Sequence, residues 1–185
     1  IPASAWKLGS TRPANHPLRR MALAAHWLQQ GENLLTRIHE WSKRQAATPA
    51  LEDALLKILT PGAGSIPYWE NHWNFTSQPM KRPQPLLGRQ RLNDIVMNVI
   101  LPWLLSISSD ERSRERVREL YLGWPAGESN SRLRMAGDRL LGGEKRKLKR
   151  TAAIQQGMLQ IESDFCNRSN ALCEGCRFPE LVNAR

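Results

Sequence analysis

The apolar residues between positions 91 and 107 recur every three or four residues, as on one face of an α-helix. Similar spacing is found in segments near 17–30, 33–46, 51–59, 110–122, 128–141 and 145–165, and no segment shows sustained strand-type alternation. The sequence therefore predicts an all-α fold, an irregular helical bundle with 91–107 as its central helix. Pro102 is expected to kink that helix or to end its regular part near Leu101. The predicted inward face of the first helix comprises Leu18, Met21, Ala22, Ala25 and Leu28.

Proline and glycine interrupt this pattern between residues 60 and 90. They surround a short aromatic element, YWENHWNF, at positions 68–75. This composition predicts a long Pro/Gly/Trp-rich loop around that element. Its aromatic side chains either form a satellite core beneath the loop, which we favour, or stack the bases of a single-stranded nucleic acid.

The three cysteines of the chain, Cys166, Cys173 and Cys176, are spaced C-x6-C-x2-C near its C-terminal end. Two thiolates on one tight turn can hold half of a tetrahedral metal site, and three soft ligands suit zinc or an iron–sulfur cluster. The spacing resembles the cluster loop of endonuclease III-type DNA glycosylases, but the fourth cysteine position of that loop is Val182 here. A metal would therefore need a further ligand from one of the histidines, a carboxylate or another chain. The alternative is a disulfide or free thiols.

The charge balance favours a polyanionic partner, because 27 basic residues against 17 acidic ones give a net charge of +10. The densest basic run lies between residues 132 and 150, where only Asp138 and Glu144 oppose it. We predict that this run binds DNA or RNA. The alternative is a solvated surface without a partner. The predicted nucleic-acid-binding residues are Arg132, Arg134, Arg139, Lys145, Arg146, Lys147, Lys149 and Arg150.

The start of the first helix is a second candidate anion site. Pro17 suits a first helical turn, and the free N–H groups of such a turn attract anions. Arg12, Asn15 and Arg20 could complete the site, although simple capping by Asn15 accounts for the same residue choices. No Ser/His/Asp set, carboxylate pair or phosphate-binding glycine loop is recognisable, so the sequence assigns no catalytic residues.

Five stretches, in order, resemble a bacterial family of unknown function, the domain-of-unknown-function family 2851. They are RPANHPLRRMALAA, YWENHW, LGRQRLNDIVMNVILPWLL, WPAGESN and QQGMLQIESDFCNRSNALCEGC. The resemblance is to the C-terminal half of that family. It implies a missing N-terminal domain that looks like a degenerate PD-(D/E)xK nuclease, in which carboxylates would hold a divalent metal. The absence of an initiator methionine fits the expectation that this chain is part of a longer protein.

The predicted organisation is a helical domain over 1–165 with a cysteine-containing tail over 166–185 packed on it. No apolar run of 18 residues and no signal peptide is recognisable, so we expect a cytoplasmic protein without a membrane partner. The leading functional prediction is a nucleic-acid-binding accessory domain fused to the nuclease-like domain. The alternatives are a structural or protein-interaction module and a DNA-glycosylase-like enzyme.

Overall fold

A computed structural model describes residues 16–45, 48–62, 64–142, 151–166, 173 and 175–183. Within these ranges the chain is helical and contains no strand, apart from an isolated bridge between Pro125 and Thr151. The all-α prediction is therefore confirmed. The helices are α1 (Pro17–Gln30), α2 (Glu32–Ser42), α3 (Thr48–Leu59), α4 (Pro67–Asn71), α5 (Arg89–Ile95), a π-helical segment (Val96–Ile100), α6 (Leu101–Ile107), α7 (Glu111–Gly123), α8 (Ser131–Leu141), α9 (Ala152–Ile161), a second π-helical segment (Glu162–Cys166) and α10 (Phe178–Asn183).

Side-chain caps set the helix starts. His16 caps α1, and its Nδ1 accepts the N–H of Leu18 at 3.3 Å. Asp110, Asn130 and Thr151 cap α7, α8 and α9 through side-chain oxygens. Because such caps satisfy the free N–H groups of the first turn, α8 begins directly after Asn130 rather than at the predicted residue 128.

Gly31 separates α1 from α2. Its φ of 52° and ψ of −136° lie in a region that side-chain-bearing residues rarely adopt, so a glycine suits this corner. The predicted end of α1 at Gly31 is confirmed. The second helix ends at Ser42, earlier than the predicted residue 46.

The chain divides into two compact units, Ile1–Leu92 and Asn93–Arg185. In the first unit, α2 packs against α1 and α3. Trp41 is fully buried there, and its Nε1 donates to the carbonyl of Leu51 at 2.8 Å. The predicted inward residues of α3 are all buried, namely Leu51, Leu55, Ile58 and Leu59. The predicted division into 1–165 and 166–185 stays a prediction.

The predicted inward face of α1 is wrong. Met21 is 54% exposed and Leu28 is 81% exposed, whereas Arg19 and Leu23 are buried. Two polar side chains orient the helix, because Arg19 reaches loop carbonyls and Trp27 Nε1 donates to the carbonyl of Leu59 at 2.7 Å. These directional bonds outweigh the apolar periodicity of a helix that is rich in small alanine side chains.

In the second unit, α7 packs against α6 and α9, and α8 packs against α9. Trp124 is fully buried beside these helices, and its Nε1 donates to Oδ1 of the buried Asn93 at 3.1 Å. The buried side chains of this unit include Val96, Ile100, Leu101, Leu104, Val117, Leu120, Leu133 and Ala136. Each fully buried leucine of this kind contributes about 1.5–3 kcal/mol relative to an exposed one.

A π-helical turn accommodates Pro102. The α-helical pattern stops at Ile95, passes through Val96–Ile100 and resumes at Leu101, whose N–H donates to the Val96 carbonyl. Proline lacks an N–H group and its ring clashes with the carbonyl four residues earlier, so it kinks or breaks the regular α-helical turn that precedes it. The expected break therefore occurs, but it precedes the proline by a full turn.

Every helix in the described ranges is too short or too polar to cross a bilayer.

Candidate nucleic-acid interface

Helix α8 carries the three predicted nucleic-acid-binding residues that fall within the described ranges. Arg134 and Arg139 are exposed, and neither has an acidic side chain of the described residues within ion-pair distance. Both can therefore reach an external anion without first breaking an ion pair. The other predicted members, Lys145, Arg146, Lys147, Lys149 and Arg150, lie outside the described residues.

Arg132 is engaged within its own unit. Its Nη2 lies 2.6 Å from Oε2 of Glu162, whose side chain is 4% exposed, while the Arg132 side chain is 55% exposed. A buried carboxylate requires a partner, so this arginine joins the start of α8 to the segment after α9. The pair favours a structural role for Arg132 over a free phosphate contact.

The arginines of α7 are largely neutralised by glutamates on the same helix. Arg118 lies 2.6 Å from Glu111 and 3.0 Å from Glu115, and Arg116 lies 3.1 Å from Glu119. The pairing raises the pKa of Arg118 and lowers the pKa of Glu111, in both cases chiefly through their mutual hydrogen bond. Such i,i+3 and i,i+7 pairs leave α7 with little net charge, so α8 carries the more electropositive surface of the second unit's described helices.

The predicted anion site at the start of α1 stays a prediction. Arg20 is exposed on α1, while Arg12 and Asn15 lie outside the described residues. His16, which precedes Pro17, supplies the observed cap.

Arg19, which the sequence prediction missed, is the most unusual charged residue of the first unit. It is 2% exposed, and its guanidinium donates to the carbonyls of Gln84 at 2.9 Å, Pro85 at 3.0 Å and His72 at 3.4 Å. It also lies 4.8 Å from the centroid of the Trp73 ring, within cation–π range. Burial lowers its pKa.

No carboxylate among the described residues pairs with Arg19, and its Nε is buried without a hydrogen-bond partner. A buried cation held by carbonyl groups alone is rare, because desolvation is costly without an opposite charge. Arg19 therefore ties α1 to both ends of the loop between α4 and α5. The available sequence signal was its spacing, since Arg19 lies four residues before the buried Leu23 and shares its face.

The aromatic element around α4 is partly open to solvent. Tyr68 is 38% exposed and Phe75 is 69% exposed, and no residue of α4 is buried. The rings contact one another: Tyr68 stacks on His72 at 4.3 Å, and Trp69 meets Phe75 edge-on at 5.0 Å between centroids. The favoured prediction of a satellite core is therefore wrong for Tyr68 and Phe75.

None of the three cysteines forms a disulfide with a described residue; Cys173 is exposed, and Cys166 and Cys176 are half-buried. A turn joins the closer pair, in which the Cys176 N–H donates to the Cys173 carbonyl at 3.2 Å and Gly175 has a φ of 70°. Beside them, Phe165 and Phe178 pack at 5.3 Å between ring centroids. Among the described residues, no three His, Cys, Asp or Glu side chains form a group that could hold a metal ion. The metal site stays a prediction.

The WPAGESN segment docks against α9 through main-chain and side-chain bonds. The Ala152 N–H donates to the Trp124 carbonyl at 3.0 Å. The side-chain amide of Gln155 both accepts from the Gly127 N–H at 2.8 Å and donates to the Gly127 carbonyl at 3.1 Å. These bonds, with the Trp124–Asn93 bond, give several motif residues a structural role.

A family model described as "Protein of unknown function (DUF2851)" matches residues 1–128. The chain belongs to the DUF2851 family. The matched range contains the first three resembling stretches and ends within WPAGESN, so the cysteine-containing tail lies beyond it. Comparison with curated proteins and with solved structures finds no match.

Proposed function

We propose that this DUF2851 chain is a nucleic-acid-binding accessory domain that acts together with a nuclease-like N-terminal domain of the same protein. The observation that carries the proposal is the pair Arg134 and Arg139, two exposed guanidinium groups on α8 without acidic partners among the described residues. Five further basic residues follow between positions 145 and 150. Most phosphate contacts of nucleic-acid-binding proteins come from arginine and lysine of this kind.

The proposal is tested by fluorescence anisotropy with labelled duplex DNA and RNA between roughly 50 and 200 mM salt. The double variant Arg134→Gln/Arg139→Gln should weaken binding and should lower the slope of log K against log salt by about 1.8, near 0.9 for each lost phosphate contact. The matched control, Lys57→Gln/Arg112→Gln, removes two exposed charges elsewhere and should change the slope far less.

Absence of binding at low salt would overturn the proposal, and so would an equal loss in both double variants. An equal loss would mean that only the net charge matters. Release of a damaged base from a duplex would favour the glycosylase alternative instead. The sequence of the full-length protein tests the association with a nuclease-like domain.

A protein-interaction module is the second candidate, supported by apolar side chains at the surface of the first unit. Met21 and Leu28 lie two turns apart on α1 and are 54% and 81% exposed, and Leu35 on α2 is 48% exposed. Exposed apolar residues on one helix face are typical of protein contacts. Binding of a partner protein that Leu28→Asp abolishes, together with no affinity for nucleic acid, would favour this candidate.

The cysteines support a further proposal, a zinc or iron–sulfur site formed by Cys166, Cys173 and Cys176 with a fourth ligand. The Cys173–Cys176 turn and the neighbouring Phe165–Phe178 contact favour it, since they bring both flanks of the cysteine segment together. Elemental analysis and absorbance spectra of anaerobically prepared protein provide the test. Protein with neither zinc nor iron would contradict it.

A further inference from the structure

An aromatic platform lies on the surface of the first unit. It consists of Tyr68, Trp69 and Phe75, and its rings contact each other edge-on or tilted at centroid distances of 5.0–6.0 Å. Phe75 is 69% exposed and Tyr68 is 38% exposed. An aromatic side chain as exposed as Phe75 is uncommon on a surface that only meets water, because its burial would stabilise the fold.

The chain around the platform is held in place by many hydrogen bonds. The Met80 N–H donates to the Asn71 carbonyl at 2.7 Å, and the Gln84 N–H donates to the Glu70 carbonyl at 2.8 Å. The Tyr68 hydroxyl donates to the Asn74 carbonyl at 3.2 Å. Arg19 adds its bonds to the carbonyls of His72, Gln84 and Pro85, and it does so as a buried cation without a carboxylate partner among the described residues. The platform is therefore preorganised, which reduces the entropy lost when a ligand binds.

The chain segment that bonds to the end of α4 carries two basic residues. Lys81 and Arg82 lie between Met80 and Gln84, whose N–H groups bond to the Asn71 and Glu70 carbonyls, so the backbone of this segment runs beside the end of α4. They are exposed and have no acidic partner among the described residues. The nearby carboxylate of Glu70 already accepts the Gly64 N–H at 3.2 Å. The surface thus combines one highly exposed aromatic side chain, Phe75, with positive charge.

We propose that the platform binds single-stranded nucleic acid, with a base stacked on Phe75 and with phosphates on Lys81 and Arg82. Stacking needs free base faces, which a single strand offers and a duplex does not. Sequence preference is weak in such sites, because every base has a π-face. This inference rests on the proposed nucleic-acid binding and adds to it a second surface with its own strand preference.

The test measures affinities of the 185-residue chain for short single-stranded DNA, short single-stranded RNA, duplex DNA and inorganic polyphosphate by anisotropy or competition. Phe75→Ala should weaken binding to both single strands by about fivefold or more, the range of one lost stacking contact. It should leave affinities for the duplex and for polyphosphate unchanged. Phe75→Trp should restore binding. Leu28→Ala, which removes another highly exposed apolar side chain of the first unit, should have no effect.

The charged flank is tested separately with Lys81→Gln/Arg82→Gln, which should lower the salt slope for single strands by about 1.4. Single-strand affinity unaffected by Phe75→Ala, or lost equally for polyphosphate, overturns the platform while leaving the α8 proposal intact. Binding of duplex DNA without any binding of single strands would also overturn the platform and leave the α8 proposal intact. Absence of binding to every nucleic acid overturns both proposals together.

Discussion

Replacement of Arg19 by methionine tests whether the buried guanidinium organises the first unit. Methionine retains much of the side-chain volume beside Trp73 but removes the donors to the Gln84 and Pro85 carbonyls, which lie at 2.9 and 3.0 Å. A hydrogen bond to a charged group contributes about 1.5–3 kcal/mol. The low end applies because the freed loop carbonyls can turn towards water. Two such bonds give about 3 kcal/mol as the upper bound of the expected loss in the free energy of unfolding, because methionine also removes the desolvation cost of the buried cation.

The assay combines urea denaturation, followed by far-ultraviolet circular dichroism, with amide hydrogen exchange. In Arg19→Met the amides of Met80 and Gln84 should exchange faster, because the bonds that they donate belong to the loop that Arg19 holds. The peptides of α7 in the second unit should exchange at the unchanged rate. Arg19→Lys keeps a charge but cannot make the same forked contacts, so it should lose about half as much stability.

The neighbouring Arg20 provides the matched control, since it is exposed on the same helix. Arg20→Met should change stability by less than about 0.5 kcal/mol. If Arg19→Met and Arg20→Met were equally stable and the loop amides kept their protection, Arg19 would have no organising role.

Three further predictions concern single residues. Arg132→Gln should lower the free energy of unfolding by about 3 kcal/mol, because it leaves the buried carboxylate of Glu162 without a partner. Glu162→Gln should lower it less, since the remaining arginine is half exposed to water. Urea midpoints in the opposite order would contradict this reasoning. Gly31→Ala should lower the free energy of unfolding by about 1–3 kcal/mol, because alanine is strained at the positive φ of this position. Gly127→Ala, whose added Cβ would meet its nearest atom at 3.4 Å, should lower it less. Thermal unfolding of both variants measures the difference. Asp110, the α7 cap, has a pKa lowered by its hydrogen bonds to a serine one turn later. Its stabilisation is therefore present above about pH 4 and lost as the pH falls through the lowered value, so the stability difference between wild type and Asp110→Ala should shrink in acid titrations.

Helix positions could be read from the sequence because their signals are local. The apolar spacing of α3 predicted all four of its buried apolar residues, and Gly31 marked the end of α1. The caps at Asp110 and Asn130 depend on side chains that reach amides only three residues away. Local signals of this kind do not require knowledge of the partner helix.

The orientation of α1 and the state of the aromatic element were not predictable in the same way. Leu28 and Met21 fitted a helical face, but long-range bonds from Arg19 and Trp27 selected another face. For the aromatic element, composition alone could not distinguish a covered core from an open platform. Whether Phe75 is exposed depends on which parts of the chain pack over it.

The availability of the basic residues on α8 could not be predicted from the sequence either. The basic run at 132–150 was visible in the sequence, but the run does not reveal that Arg132 pairs with the buried Glu162 while Arg134 and Arg139 stay unpaired among the described residues. Ion pairing between residues 30 positions apart follows from the packing of α8 on α9.

The sequence by itself determined the helical class, the approximate positions of the longer helices and the excess of positive charge, since each follows from periodicity, capping chemistry or composition. Only the tertiary structure decided which arginines are available to a ligand and which are held by the fold. The physical reason is that burial and hydrogen-bond partners are properties of residues distant in the chain. Arg19 and Arg20 are adjacent and chemically identical, yet packing buries one beneath a loop and leaves the other in water.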